Sequence, residues 1–421
     1  MSDSLPVISV DQLVIGLYVH LDLRWTDHPF TFNNFKLKSP DQIDTIRSLG
    51  LENVRYDPAK SDVPPGPVPT TPQPVPPPPP QQSPQQAAKL ARMERLSKQR
   101  EAIAATEREF MSAAGSIKNI TRNLFSRPAE AMEEANALVT QMVESLLTDR
   151  DVAIHLMNDK VAGEEVYYHS LNVAVLAMIL GKESGRTPDE IKTIGVGSLF
   201  HDIGKLEIPE RILMKTEPLT KAEADFMRQH CAYGLTITKK LGLPTEVLAV
   251  IAQHHEAMDG SGYPTGCKGD KITRAAQVVA IVNAYDNLCN PINLNQAVTP
   301  HEALSLLFAQ QRARYESHAL NTFIRCLGVF PPGTVVRLSN DMLGIVMSVN
   351  SSKPLKPAVL VYDPDIPKNE AIIVDLENES DLNIAKAIRP GQLPRPVYEY
   401  LSPRKRVTYY FDAPGQAGKP A

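Results

Sequence analysis

The chain has 421 residues, 43% of them hydrophobic and 22% charged, with a net charge of −4. That length supports two or three domains with cores of their own. The weak negative charge gives no footprint for a nucleic-acid polymer, and no apolar run reaches the ~18 residues of a membrane helix. The start, "MSDSLPVISV", has no basic region followed by an apolar core, and Cys231, Cys267, Cys289 and Cys326 show no metal-site or disulfide spacing. Both features predict a reducing, cytoplasmic setting.

Residues 1–60 read as a small α+β module. "LVIGLYVHLDL" and "NVRYD" are strand-like, and "SPDQIDTIRSLG" is a short helix with Ser39 as N-cap, Pro40 in the first turn, Gln42 at the capping-box position and Gly50 as stop. Trp25, His20 and His28 are expected to pack there rather than to form a site. Residues 61–86, "SDVPPGPVPTTPQPVPPPPPQQSPQQ", cannot pack as helix or sheet and read as a semi-rigid polyproline linker. Residues 87–130 read as a connecting or dimer-forming helix. Leu96, Ile103 and Phe110 recur at seven-residue spacing, but Arg100 and Glu107 interrupt the seam, which argues against a long coiled coil.

From 131 to 330 the chain reads as helix after helix. "TPDE" (Thr187–Glu190), "TKAE" (Thr220–Glu223) and "TPHE" (Thr299–Glu302) are capping-box starts, and Gly242 and Gly328 are stops. "HSLNVAVLAMIL" is apolar nearly all round, as a helix buried among others is. Residues 331–395 change to short β-branched runs divided by turn residues, which predicts a small antiparallel, barrel-like β module, followed by a tail over 396–421. The expected fold is therefore mainly α, a helical domain between a small α+β module and a small β module.

The helical stretch carries an unusual set of polar groups. Five of the ten histidines lie between 169 and 255, in "EVYYH", "HDIGK", "RQH" and "HHE", and "AYD" follows. Glu165 and His169 are four apart and share a helix face. His201 and Asp202 are adjacent on an expected helix, and Lys205, four beyond His201, would overhang the same cleft. Their flanks, "GVGSLF" and "LEIP", are apolar, so a charged pair there is costly unless it is paired or bound to metal. An isolated His-Asp dipeptide is usually a surface pair, and a single helical histidine is usually structural. Five histidines with Glu165, Asp202 and Asp286 on several helices point instead to a metal site, and mixed imidazole and carboxylate donors suit Fe, Mn or Zn rather than Ca or Mg. His155, His301 and His318 lack such partners and read as structural or exposed.

With "HSLNVAVLA", "HDIGK", "HHEAMDGSGYPTG" and "AYDNL" in that order, residues ~140–330 resemble the HD-GYP branch of the HD metal-dependent phosphohydrolases. The flanking "GLYVHLDLRWTDHPFTFNNFKL" and "VVRLSNDMLGIVMSVN" look like modules that accompany it in some bacterial members. The resemblance implies an all-helical catalytic domain that hydrolyses cyclic di-GMP to a linear dinucleotide or GMP with two or three divalent metals, commonly Fe or Mn. It implies metal ligands at His169, His201, Asp202, His230, His254, His255 and Asp286, with Glu165 supporting a third ion and Asp202 bridging. Lys205 would contact substrate phosphate, and Gly262 and Tyr263 would line the substrate. The Gly-Tyr-Pro loop would be a docking surface for a diguanylate cyclase or another signalling protein.

The chain departs from the family after Asp286, where "NLCNPINLNQA" holds no Arg or Lys at the position of a basic phosphate-gripping segment. Asn283 and Gln277 stand where Asp and Arg are common, and Ala257-Met258 replaces a basic-aromatic or basic-aliphatic pair. Arg274 and Arg312 are the candidates to supply the missing charge. Two other readings follow from these departures: a non-catalytic binding module, and a phosphohydrolase of another cyclic dinucleotide.

Overall fold

The computed structural model describes residues 5–23, 28–30, 32–67, 84–148, 153–157, 165–350, 353–368, 371–379, 381–403 and 406–411, with backbone only for 84–93, 95–97, 99–100, 165 and 166. Trp25 and most of the proline-rich linker lie outside the described residues. The chain divides into two compact units, one of residues 1–99 with 363–370 and the other of residues 100–362 with 371–421.

In the first unit, strands β1 (Val7–Ser9), β2 (Tyr18–His20), β3 (Asn34–Lys36) and β4 (Asn53–Tyr56) form an antiparallel sheet in the order β1-β4-β2-β3, with α1 (Pro40–Ser48) between β3 and β4 in sequence. Leu17, Val19, Leu37, Ile43, Ile46 and Val54 make its core. β1 and β3 are strands that the sequence reading did not include. Ser39 stands at the N-cap of α1 but its hydroxyl makes no capping bond. Gln42 Oε1 reaches back over that turn, accepting from Lys38 N at 2.7 Å. His28 is buried, its Nε2 2.8 Å from Asn33 Oδ1.

The second unit is built on helices. They are α2 (Pro84–Asn123, from residue 100 on), α3 (Pro128–Thr148), α4 (Glu165–Glu183), α5 (Pro188–Phe200), α6 (Glu210–Leu213), α7 (Lys221–Arg228), α8 (His230–Lys240), α9 (Thr245–Gln253), α10 (Arg274–Cys289), α11 (Pro300–Ala309), α12 (Ser317–Leu327) and α13 (Arg395–Leu401). The three threonine starts form as expected: Thr187, Thr220 and Thr299 each accept from the N–H of the glutamate three residues on, which bonds back to the cap. α4 is the centre of the core, with Leu171 and Val173 through Leu180 all buried. Phe110, Ala113, Ala114, Ile117 and Ile120 of α2 join the same core, with the Phe110 ring against Tyr168.

The C-terminal strands form an antiparallel sheet that is not closed into a barrel among the described residues. β6 (Val335–Leu338), β7 (Leu343–Asn350), β8 (Ala358–Val361), β9 (Ile372–Asp375) and β10 (Ile384–Ile388) pair antiparallel. They are joined by β5 (Ala153–Leu156), which precedes α4, and β11 (Tyr409–Phe411), from the expected tail. β7 is long enough to hold β6 on its first half and β5 on its second along one edge, with β8 on the other. β11 then pairs on β5, bringing residues 409–411 against the helical core.

The helices meet closely in one place. After α5 the chain turns through a 3-10 segment, Ile203–Glu207, packed on α8. A Cβ on Gly204 would lie 1.9 Å from His230 O and 2.4 Å from Gly234 N, so only glycine fits there. Replacing Gly204 with Ala should force two backbones apart and cost about 3 kcal/mol or more. Urea denaturation measures this, and wild-type stability in the variant would show that the contact is not tight.

Candidate metal centre

Three of the expected histidines stand at helix ends. His201 is the C-cap of α5, His254 the C-cap of α9, and His230 follows the last turn of α7. In each, Nδ1 lies close to the carbonyl three residues back: Ser198 O at 2.6 Å, Ile251 O at 2.9 Å and Met227 O at 2.8 Å. Carbonyls in a last helical turn have no partner further along the helix, so a ring N–H is well placed to satisfy them. That bond puts the proton on Nδ1 and leaves the Nε2 lone pair pointing inward. The sequence had placed His201 and Asp202 on one helix. The helix instead ends at Phe200, and Asp202 caps the 3-10 segment, which brings Lys205 Nζ to 2.5 Å from Asp202 Oδ2.

Asp202 stands between two sets of imidazoles. Its Oδ2 lies 3.4 Å from His169 Nε2 and 3.3 Å from His201 Nε2. Its Oδ1 lies 3.4 Å from His230 Nε2 and 3.8 Å from His254 Nε2. Within each set the Nε2 atoms face one another at 3.2 Å. His230 and His254 both spend their proton on a carbonyl, so two lone pairs meet there, with the weakly donating Cys231 thiol 3.5 Å from His230 Nε2, and Asp202 Oδ1 is buried without a hydrogen-bond partner. Converging lone pairs and an unpaired carboxylate oxygen need a cation between them. His169, His201 and Asp202 form one group of donor atoms that could hold an ion, and Asp202, His230, His254 and His255 the other.

Asp286 stands apart from both groups. Its Oδ2 is 2.6 Å from His169 Nδ1, and its Oδ1 accepts from Asn172 Nδ2 and Asn290 Nδ2, each at 2.8 Å. In this arrangement it is the carboxylate that orients a histidine, a common partner of a ligating imidazole. Glu165 opens α4, and its side chain lies outside the described residues. The sequence reading missed Asn172 and Asn290, since amides carry no metal-site signature. His155 is buried in β5, His301 Nδ1 bonds Val329 O at 2.7 Å, and His318 is exposed.

The glycine loop walls one side. Tyr263 stacks on His255, ring centroids 4.5 Å apart, and Arg228 lies 5.4 Å over the Tyr263 ring. The Tyr263–Pro264 peptide is cis. Glu256 Oε1 accepts from both Thr265 N and Thr265 Oγ1 at 2.7 Å, which pins the loop. Gly262 sits where a Cβ would fall within 2.6 Å of the 255–257 backbone, so the loop folds flat against the His254-His255 pair. Beside that pair lies a cavity of about 230 Å³ whose lining includes Asn283, Asn287, Gln311, Arg314 and Tyr315. The cation there is Arg314. Arg274 and Arg312 are not among the lining residues, and Arg312 lies over Phe308.

Residues 6–135 match a domain of unknown function, residues 120–318 an HD domain, and residues 335–395 a KOW domain associated with an HD domain. The chain is similar to a cyclic di-GMP phosphodiesterase of Pseudomonas aeruginosa, 27% identical over 84% of each protein. It is 31% identical to a cyclic di-GMP phosphodiesterase response regulator of Xanthomonas campestris, over 36% of this chain and 40% of that protein. It is 30% identical to a 3′3′-cGAMP-specific phosphodiesterase of Vibrio cholerae, over 42% of this chain and 35% of that protein. No helix among the described residues is long and apolar enough to cross a membrane.

Protonation divides the cluster. Burial, with the neighbouring imidazoles, holds His254 and His255 well below the ordinary histidine range, and burial also lowers His230. Burial pulls His169 down too, but its bonds to Asp202 and Asp286 outweigh this and raise it to about 9. Burial pushes Asp202 up, yet Lys205 and His201 hold its carboxyl well below the usual carboxylate value. The three lowered histidines stabilise the folded chain above about pH 6.5, and that contribution is lost as the unfolded chain takes up protons below it. His169 runs the other way: its contribution is present below about 6.5 and lost as the pH rises toward 9. Metal-free protein should therefore be most stable near pH 6.5, with Tm falling on both sides. Melts in chelator from pH 5 to 9 check this, and a Tm that climbs steadily across that range contradicts it.

Proposed function

We propose that the chain belongs to the HD-GYP branch of the HD domain family and is a metal-dependent phosphodiesterase that hydrolyses cyclic di-GMP to the linear dinucleotide or GMP. The observation that carries this reading is Asp202, one oxygen turned to each of two imidazole pairs whose lone pairs converge. His169, His201 and Asp202 would hold one divalent ion, and Asp202, His230, His254 and His255 a second. Glu165 would support a third, and Asp286 would ligate or orient through His169. Fe or Mn suits this mixture of imidazole and carboxylate donors.

Divalent ions held there supply Lewis acidity to the phosphodiester and a nucleophile at neutral pH. The chain's own groups do the rest. Lys205, 2.5 Å from Asp202 and partly exposed, is placed to offset charge that develops on the phosphate oxygens. The stack of His255, Tyr263 and Arg228 shields the histidines from water on the loop side, and Gly262 lets that wall approach. Arg314, with Asn283 and Asn287, offers the second phosphate the cation that the segment after Asp286 lacks. A phosphate bound to a guanidinium in such a cavity needs no basic residue in "NLCNPINLNQA". Cytoplasmic action, a homodimer, and docking of a diguanylate cyclase on the Gly-Tyr-Pro loop belong to the same proposal.

The altered grip and the likeness to a 3′3′-cGAMP-specific enzyme favour a second reading, in which another cyclic dinucleotide is preferred. Anaerobically purified protein loaded with Fe(II) or Mn(II) should consume cyclic di-GMP. Replacing His201 and Asp202 with Ala should lower turnover by more than about 100-fold, the upper end for changes outside the ligand set itself. A folded, metallated chain that cleaves no cyclic dinucleotide would sink the proposal, and faster cleavage of 3′3′-cGAMP would select the second reading. Arg314→Ala should raise KM about 10-fold with kcat little changed. An unchanged KM would remove Arg314 from the phosphate site.

A further inference from the structure

The hydrogen bonds of Asp286 lead away from the histidines to the far end of the chain. Asn172 Nδ2 lies 2.8 Å from Asp286 Oδ1 and 2.8 Å from Val407 O. Asn290 Nδ2 lies at the same two distances from the same two atoms. An amide nitrogen has two hydrogens, so each asparagine gives one to the carboxylate and one to the backbone of residue 407. Their oxygens are also used: Asn172 Oδ1 accepts from Tyr409 N at 2.7 Å, and Asn290 Oδ1 from Val407 N at 2.8 Å. The Tyr409 side chain fastens the same segment, its hydroxyl 2.9 Å from Tyr285 Oη and 3.2 Å from Pro332 O. Asn172, Asp286 and Tyr409 are all 1% exposed or less.

We infer that residues 407–409 are a positioning strap for one of the two metal positions. The docked backbone orients Asn172 and Asn290, the two amides hold Asp286, and Asp286 fixes the ring of His169. Without the strap, each amide loses two of its three bonds and is free to turn, and His169 loses the fixed carboxylate that sets its tautomer. The position facing His230 and His254 needs none of this, because those rings are set by carbonyls of their own helices. The strap thus acts on the His169–His201 position alone. This inference rests on the metal reading of the preceding subsection.

The test measures metal, not activity. Wild-type protein, Asn172→Ala and Asn290→Ala are loaded with Mn(II), dialysed against graded chelator, and assayed for metal per chain. Phe411→Ala serves as control: it lies buried on the same strand, and its side chain has no group to hydrogen-bond either amide. Both amide variants should release one of two ions at chelator activities about 10- to 100-fold lower than wild type does, with the second ion unaffected. Asn290 is half-buried at a helix end, so its variant folds even if Asn172→Ala does not. Phe411→Ala should lower Tm and keep both ions. Wild-type retention in a folded amide variant overturns the strap, as does loss of the same ion from Phe411→Ala at matched Tm. A wild-type chain that binds no metal sinks the metal reading itself, and the strap with it.

Discussion

A buried carboxylate shared by two pairs of imidazoles, with the Nε2 atoms of each pair 3.2 Å apart, is the constraint on which the rest of the chain depends. Like lone pairs at that separation repel, and an ionised aspartate with an unpaired oxygen is costly away from water. A proton relieves part of this on the His169 side, where two carboxylates favour the charged ring. Between His230 and His254, whose protons are committed to helix carbonyls, the Cys231 thiol 3.5 Å from His230 Nε2 offers only a weak donor. The cluster is therefore held in place against its own preferences by the helices around it, and a divalent cation is what those preferences ask for.

The holding device is repeated. α5, α7 and α9 each stop where a histidine is needed, and each lends that histidine a carbonyl from its last turn. The ends are brought together by small residues. Gly204 admits the backbone of α8, Gly197 admits Val250 of α9, and Gly262 folds the loop back onto the His254-His255 peptide. A protein that uses helix ends rather than helix faces gains rigidity at the donor atom. A ring bonded at Nδ1 to a carbonyl three residues back has little freedom left, whereas a ring on a helix face would keep its rotamers.

Much of this was legible in the residues. The spacing of the histidines, the threonine caps and the glycine stops are local signals, and local signals survive folding unchanged. The end of the helix before His201 and Asp202 was not legible, because that break depends on Gly204 meeting α8. Nor was the sheet. β5 reads as four unremarkable residues before a long helix, and it becomes a strand only because β7, some 190 residues on, is long enough to take it beside β6. Asn172 and Asn290 sat inside motifs already singled out, yet nothing in an amide announces that it links a carboxylate to a strand in the chain's last turn of sequence. Arg314 was passed over for Arg312 for a similar reason: two positions on a short 3-10 turn point in different directions, and only packing decides which faces the cavity.

The strand order of the second sheet also bears on how the molecule is made. Asn172 and Val407 are 235 positions apart, yet they share a hydrogen bond at the centre of the core. A contact of that sequence separation forms late, because the intervening loop must be closed before the contact repays it. During synthesis the histidine-bearing helices emerge from the ribosome well before β11, so for that interval the core lacks the edge that β11 later covers. The exposed face of β5 is then an unpaired strand edge, the kind of surface on which nascent chains associate wrongly. Maturation thus waits on a segment that appears after the helices it completes, and the order of translation becomes part of the architecture.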